Sequence, residues 1–212
     1  MATSTGNEKM TGVHTVLSWL DITLLLSVVY IKLGDRFQLR RFTISVGIVA
    51  IAILCLLPIS GLSLFMYPRG VIGDLSMTTK VYIVAWLIFR LGGPKIVNGQ
   101  ETNFLFKTMA GVGVIFYPLS LGLTSFDPYS AGFSDSILTI WTVIATAYGL
   151  RKGYYIFSVA MLTALWGYLL GLMESDNLFD YLFDPLLFLY AVYFTCATLI
   201  GSRKTNKTAG QT

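Results

Sequence analysis

The chain has 212 residues, of which 55% are hydrophobic and 12% are charged, and its mean hydropathy is +0.69. An average soluble domain carries about twice that share of charged residues, so the composition excludes a soluble globular protein, a disordered chain and a nucleic-acid-binding module. The net charge of +4 reflects an uneven distribution of cations between loops and indicates no nucleic-acid partner. The sequence predicts an integral membrane protein whose main partner is the lipid bilayer.

Apolar segments recur along the whole chain. A membrane-spanning helix needs roughly 20 apolar residues, and continuous apolar segments are the signal for such helices. In chain order they cover 13–33, 43–66, 75–91, 104–124, 136–150, 154–173 and 185–201. The third and fifth segments are short, and Lys80 and Arg90 lie near the ends of the third. We predict an all-α bundle of seven transmembrane helices at 13–201, between a polar N-terminal tail, 1–12, and a basic C-terminal tail, 202–212.

The positions of lysine and arginine predict the orientation, because cytoplasmic loops carry an excess of cations. With seven spans, 12 of the 15 cations fall on one side and 8 of the 11 acids on the other. We therefore predict an N-terminus outside, a C-terminus in the cytoplasm and a bacterial-type inner (plasma) membrane. A five-span arrangement without the third and fifth segments would move Lys95 and Lys107 outside, which disfavours it. The predicted cytoplasmic cations are Lys32, Arg36, Arg40, Arg41, Arg90, Lys95, Lys107, Arg151, Lys152, Arg203, Lys204 and Lys207.

A polar stripe lies on the first predicted helix. Thr11, His14, Ser18 and Asp21 follow one another at steps of 3, 4 and 3 residues, which places them on one helix face. Asp21 lies well inside the span, and an intramembrane carboxylate indicates a functional site by default. Such a stripe suits proton or cation binding. In the alternative interpretation, Asp21 binds a neighbouring helix, through Lys80 or a tyrosine, and only fixes the packing.

An acidic segment precedes the last predicted helix. It contains Glu174, Asp176, Asp180 and Asp184, and the three aspartates are spaced so that a helix would place them on one face. Like charges at that spacing repel, so we predict compensation by water, a cationic partner or a divalent cation such as calcium. In the alternative, the role of Asp184 is structural: it caps the next helix, which begins at Pro185.

A second polar stripe follows the fifth predicted helix. Asp135, Thr139, Thr142 and Thr146 are spaced by 4, 3 and 4 residues. Facing inward, this stripe would line an outward-open cavity together with the stripe on the first helix. In the alternative, the threonines donate hydrogen bonds to carbonyls of their own helix.

Small residues and prolines predict how the helices pack. Gly167 and Gly171 have the GxxxG spacing that permits close helix approach. They predict a contact with another membrane protein or a second copy of the chain. Pro58 and Pro118 lie inside predicted spans, which they are expected to kink.

The sequence lacks the residues of several known chemistries. A retinal Schiff base of the rhodopsin type is excluded because 185–201 contains no lysine, and one histidine is too few for a multi-histidine metal site. No nucleotide-binding or hydrolase motif is present, and no cofactor is evident. We therefore predict an accessory, assembly or scaffold component of the membrane. The alternatives are a small solute or ion carrier that uses Asp21, and a metal-dependent membrane enzyme acting at the outer face.

Overall fold

The computed structural model describes the backbone of residues 2–123, 125–133 and 137–209, and side chains within these ranges from residue 12 to residue 201. The fold is all-α, with 78% of the residues in helices. The described helices are α1 (Ala2–Arg36), α2 (Arg41–Leu56), α3 (Met66–Ile72), α4 (Met77–Arg90), α5 (Gly99–Pro118), α6 (Ile137–Lys152), α7 (Tyr155–Leu169), α8 (Leu178–Leu182) and α9 (Pro185–Ala209). A two-stranded hairpin (β1, Pro58–Ile59; β2, Leu62–Ser63), a π-helical turn (Leu119–Leu123) and a 3-10 turn (Pro128–Gly132) complete it.

Seven of these helices, all except the short α3 and α8, coincide with the predicted apolar segments. Among the described residues, two helical stretches, Gly12–Arg36 and Gly99–Leu123, are long and apolar enough to cross a membrane. Helices α2 and α7 and the Pro185–Gly201 part of α9 are apolar but shorter. The all-α prediction is confirmed and membrane association is supported. The number of spans and their orientation stay predictions.

Large apolar side chains cover the outside of the helices. Phe42 is 80% exposed, Trp141 63%, Leu189 62% and Trp166 60%. A soluble protein rarely exposes so many large apolar groups together, whereas a helix that is apolar on all sides is typical of a membrane environment. The outer surface therefore fits lipid.

One predicted boundary is wrong, and two helices extend into the predicted tails. The second segment does not continue to residue 66, because α2 ends at Leu56 and Pro58 begins the hairpin instead of kinking a span. Ser60 and Gly61 both have positive φ, as the two-residue turn of a tight hairpin requires. At the C-terminus, α9 continues to Ala209 through most of the predicted basic tail. At the N-terminus, α1 begins at Ala2.

The helices form two apolar cores of unequal size. The larger core lies among α4, α5, α7, α8 and α9 and includes Leu105, Phe116, Phe157 and Tyr181. The smaller core joins α1, α2 and the segment before α3 through Ile22, Cys55 and Phe65. The smaller core holds α1, α2 and α3 to one another, so their attachment to α4–α9 comes from other contacts.

Glycines lie where the main helix pairs approach closely. A side chain at Gly47 would overlap the ring of Tyr30 between α1 and α2, and one at Gly113 would overlap Phe188 between α5 and α9. Gly167 faces Met77 of α4, where a Cβ would come within 3.2 Å of the Met77 Cε atom. These contacts are the close approaches that small residues permit in membrane helix bundles.

Candidate functional site

The polar stripe on α1 contacts the connection between α3 and α4 and the turn after α7. Ser18 Oγ donates to Asp74 Oδ1 (2.8 Å), and Asp21 Oδ2 accepts from the Leu75 backbone N (3.0 Å). His14 Nε2 donates to the backbone carbonyl oxygen of Gly171, which follows α7 (2.9 Å). The side chain of Thr11 lies outside the described residues. The predicted alignment of His14, Ser18 and Asp21 on one face is therefore confirmed.

Asp21 pairs with a lysine in the interior. Its Oδ1 lies 3.2 Å from Nζ of Lys80 on α4, and the two side chains are 1% and 7% exposed. This is the partner that the packing interpretation named. Beyond this ion pair, Asp21 Oδ1 and Lys80 Nζ have no hydrogen-bond partner among the described residues. A buried pair of this kind destabilises the protein strongly when one partner is removed, because the other charge is left uncompensated.

Asp74 is held by an arginine at the same end of the bundle. Arg69 Nε and Nη2 donate to the two Asp74 oxygens (2.8 and 3.1 Å), and Arg69 Nη2 also lies 2.7 Å from Glu174 Oε1. Burial alone would raise the pKa of Asp74, but the hydrogen bonds from Arg69 and Ser18 outweigh it and the pKa lies below its usual range. The same hydrogen bond with Asp74 raises the pKa of Arg69.

These contacts form what we call the polar seam. It links the side of the molecule made by α1, α2 and α3 to the side made by α4–α9. Its members are His14, Ser18, Asp21, Arg69, Asp74, Lys80 and Glu174, with the backbone of Leu75 and Gly171.

Asp184 is buried and joins α4 to α9. Its Oδ1 accepts from the Leu187 backbone N (2.8 Å), as an N-cap of α9 does, and Pro185 is the first residue of that helix. Its Oδ2 accepts from the backbone N and Oγ of Ser76 (3.1 and 2.7 Å) and from Thr79 Oγ1. The capping interpretation of Asp184 is confirmed, and the protein's own donors surround this carboxylate.

The helical face predicted for the three aspartates of the acidic segment is wrong. Helix α8 has five residues, Leu178–Leu182, and is capped by Asn177, whose Oδ1 accepts from the Phe179 backbone N (2.9 Å). Asp176 therefore precedes the helix and Asp184 follows it. Asp180 accepts from the hydroxyls of Tyr129 (2.8 Å) and Ser175. Desolvation and this bond raise the pKa of Tyr129 to about 12.

Four carboxylates nevertheless line one surface groove, which we call the acidic groove. Its volume is about 230 Å³. No three His, Cys, Asp or Glu side chains in the described part of the chain are grouped so that they would hold a metal ion. The divalent cation predicted here therefore gains no support from this geometry. The groove is lined by Asp74, Met173, Glu174, Ser175, Asp180, Phe183, Asp184 and Pro185.

The stripe on α6 does not share this groove. Thr142 Oγ1 donates to the carbonyl of Leu138 and Thr146 Oγ1 to that of Thr142, each at 2.8 Å, as the alternative interpretation expected. Thr139 lines a second open groove of about 510 Å³ with Tyr168, Leu169, Ser175 and Asp176, which shares Ser175 with the acidic groove. Asp135 lies outside the described residues. Among the described residues, the stripes on α1 and α6 therefore contact different parts of the surface.

The predicted GxxxG contact is made within the chain. Gly167 packs against Tyr181 and Met77, and Gly171 lies beyond the end of α7 with φ of +60°. The Leu172 backbone N donates to the Gly167 carbonyl (2.9 Å), the closing bond of a glycine helix end. The two glycines do not form one outward helix face, so the basis for predicting a partner through them is lost.

The sequence interpretation missed a buried acid at the other end of the bundle. Glu101 on α5 is 1% exposed, and its Oε1 accepts from the Phe157 backbone N in the first turn of α7 (2.6 Å). The Asn98 side chain accepts from the Glu101 backbone N (2.6 Å). An Asn followed three residues later by Glu is a helix-start signal, so the local part of this arrangement was detectable.

The chain matches no protein-family model, no curated protein and no solved structure.

Proposed function

We propose that the chain is a seven-span membrane protein with its N-terminus outside and its C-terminus in the cytoplasm of a bacterial-type inner membrane. Its role is that of a non-enzymatic accessory, assembly or scaffold component. The coincidence of seven helices with seven apolar segments supports the span number. The segregation of cations and acids at opposite loops supports the orientation.

The role depends on one observation, the engagement of Asp21 by Lys80 and by the Leu75 backbone N. A carrier needs intramembrane polar groups that face its substrate. Here, the buried carboxylate is used to hold α1 against α4, and Thr142 and Thr146 bond to their own helix. This use of polar groups favours a rigid membrane component over a transport pathway.

The acidic groove is the surface that such a component would present to a partner. Glu174 in its lining and Asp176 next to it are exposed, while Asp184 and the Arg69 side chain are held in place by their contacts. The fixed loops therefore display negative charge at the predicted outer face. A positively charged segment of another protein matches this surface best.

Cysteine labelling tests the topology. In a chain without Cys55 and Cys196, we expect Ser130→Cys to react with an impermeant maleimide in intact cells. Lys152→Cys is expected to react only after permeabilisation. Equal labelling of both positions in intact cells would contradict the proposed orientation.

Native mass spectrometry after gentle extraction tests the role. We expect a stoichiometric protein partner that is lost in the E174Q/D176N variant and retained in R151Q, which removes a charge from the opposite end. A lone chain, or a partner that both variants retain equally, would contradict docking at the acidic groove.

A carrier that uses Asp21 is the second candidate. The observation in its favour is that Asp21 Oδ1 and Lys80 Nζ are buried with no hydrogen-bond partner among the described residues apart from their ion pair. Asp74 lies close by and lines the acidic groove. A buried pair beneath a surface groove is an arrangement found in ion and proton pathways.

Proteoliposomes distinguish the two candidates. In D21N/K80M no lone charge remains, so the variant is expected to fold. If the protein is a carrier, D21N/K80M is expected to lose cation or proton uptake. Uptake is measured with an internal pH dye under imposed Na⁺ and K⁺ gradients. If wild-type vesicles show no uptake above protein-free vesicles, the carrier is excluded for these ions. If the wild type transports and D21N/K80M does not, the scaffold role is wrong.

A further inference from the structure

The turn between α1 and α2 lies at the end of the bundle opposite the acidic groove and combines cations with exposed aromatic rings. We call residues 36–42 the basic corner. Arg36, Arg40 and Arg41 are all exposed. Phe37 is 73% exposed and Phe42 is 80% exposed. Apolar rings that protrude beside arginines at the end of a candidate membrane span are typical of a segment in the membrane interface.

Neighbouring helices add charge to the basic corner. Lys32 Nζ lies 5.4 Å from the centre of the Tyr190 ring and so reaches from α1 to α9. The Arg41 guanidinium covers Gly92 after α4, where a Cβ would come within 2.8 Å of Arg41 Nη1. Arg90 pairs with Asp35. One carboxylate, that of Asp35, lies among five cations, which leaves an excess of four positive charges. The cations are Lys32, Arg36, Arg40, Arg41 and Arg90.

The structure leaves the arginines of the turn available for a ligand. Arg36 and Arg40 are exposed, and among the described residues neither guanidinium takes part in an ion pair. Gln38 has a positive φ of 54°, so the turn brings the chain sharply round between the two helices. A guanidinium binds a phosphate group with two parallel hydrogen bonds, and it stays charged at any physiological pH.

We propose that the basic corner is a docking surface for anionic phospholipid headgroups. Arg36 and Arg40 bind the phosphate, and the rings of Phe37 and Phe42 insert at the level of the glycerol and upper acyl chains. The occupant is a lipid because exposed arginines and exposed phenylalanines lie within the same few residues, next to the candidate span Gly12–Arg36. Basic clusters next to a membrane span attract anionic lipids. This proposal rests on the proposed membrane insertion, but not on the orientation or the scaffold role.

The chain offers a matched control. Arg151 and Lys152 end α6 and are also exposed, and Lys152 Nζ lies 6.0 Å from the centre of the Tyr148 ring. The variants R36Q/R40Q and R151Q/K152Q each remove two cations. They therefore separate an effect of the basic corner from an effect of net charge.

The experiment is a lipid titration of the full chain in detergent, with bound lipids counted by native mass spectrometry. The probes are phosphatidylglycerol and phosphatidylcholine with identical acyl chains. We expect the wild type to prefer phosphatidylglycerol and R36Q/R40Q to lose affinity for it by about fivefold for each arginine removed. We expect R151Q/K152Q to keep the preference. The F37S/F42S variant is expected to bind both lipids more weakly.

Three results would overturn the proposal. They are equal binding of the two lipids by the wild type, equal losses in the two charge variants, and unchanged affinity in R36Q/R40Q. Helix content by circular dichroism shows that each variant is folded. Incorporation into lipid nanodiscs is measured separately. A wild-type chain that fails to enter nanodiscs contradicts the proposed insertion, whereas one that enters without lipid preference contradicts the docking surface alone.

Discussion

The two sides of the molecule are held together by different forces. Helices α4–α9 share a large apolar core rich in aromatic contacts, such as Phe116 with Phe179 at a ring distance of 4.5 Å. Helices α1, α2 and α3 share a small core. They are held against α4–α9 by the polar seam at one end and by the Arg90–Asp35 ion pair at the other, with Leu17 packed against the larger core. In lipid, apolar burial drives helix association little, and a specific polar contact gains relative importance. The residues of the polar seam therefore serve to hold α1, α2 and α3 against α4–α9.

Among the single substitutions, Lys80→Met is expected to lower the stability of the protein most. It removes the ion-pair partner of Asp21 and leaves a carboxylate that is 1% exposed without a counter-ion. Loss of one partner of a buried pair costs about 3–5 kcal/mol in soluble proteins. We expect a marked fall in the thermal unfolding midpoint, measured by size-exclusion chromatography after heating in detergent.

The double variant D21N/K80M is the control. Because it leaves no lone buried charge, it is expected to recover most of the stability that K80M loses. If K80M is as stable as the wild type, the pair does not fasten the two sides.

Glycine-to-alanine substitutions compare the packing of the two sides of the molecule directly. Gly113→Ala places a methyl group against Phe188 and Phe183 in the larger core, where little movement is available. Such overpacking costs about 1–3 kcal/mol. The nearest atoms that the methyl group of Gly47→Ala would meet belong to Tyr30, whose hydroxyl hydrogen bond to Thr43 is exposed. We expect a clear drop in the unfolding midpoint for G113A and a smaller one for G47A; the reverse order would contradict the assignment of the two cores.

Acid is expected to weaken the seam at Asp74, with a smaller effect. Because the pKa of Asp74 is lowered in the folded protein, its contribution to stability is present above the unfolded-state pKa, about 4. The contribution is lost as the pH falls through the lower folded-state pKa.

The unfolding midpoint measured from pH 6 down to pH 3 checks this expectation. The difference between the wild type and D74N is expected to be about 1 kcal/mol or less, because the ion pair with Arg69 is partly exposed. It should shrink below about pH 4. D176N, which alters an exposed acid, serves as the control, and a difference that grows in acid would contradict the role of Asp74.

The fold was more predictable than the site because apolar segments and helix periodicity are local properties of the chain. The stripe of His14, Ser18 and Asp21 follows from spacing along one helix, and the cap at Asp184 follows from the proline beside it. The contact between Asp184 and Ser76 was not predictable, because it joins residues 108 positions apart. The acidic helix face was wrongly predicted because a continuous helix was assumed through the whole acidic segment. In the structure, α8 covers only five residues.

The glycine contacts show the same limit. Gly167 and Gly171 have a recognisable spacing, yet Gly171 ends its helix with a positive φ. Gly47 and Gly113 have no such spacing, and their close approach to Tyr30 and Phe188 depends on which helices are neighbours. Pairing of helices is decided by tertiary packing, so a single sequence does not reveal it.

Hydrogen exchange by mass spectrometry, on the wild type and on K80M in nanodiscs, tests whether the polar seam holds α1, α2 and α3 against α4–α9. We expect K80M to exchange faster in 12–36 and 66–80, where the polar seam lies. Segments of the larger core, 104–116 and 155–169, should exchange as in the wild type, because local opening follows local contacts. Faster exchange across the whole chain, or first in the larger core, would show that α1, α2 and α3 do not open separately from α4–α9.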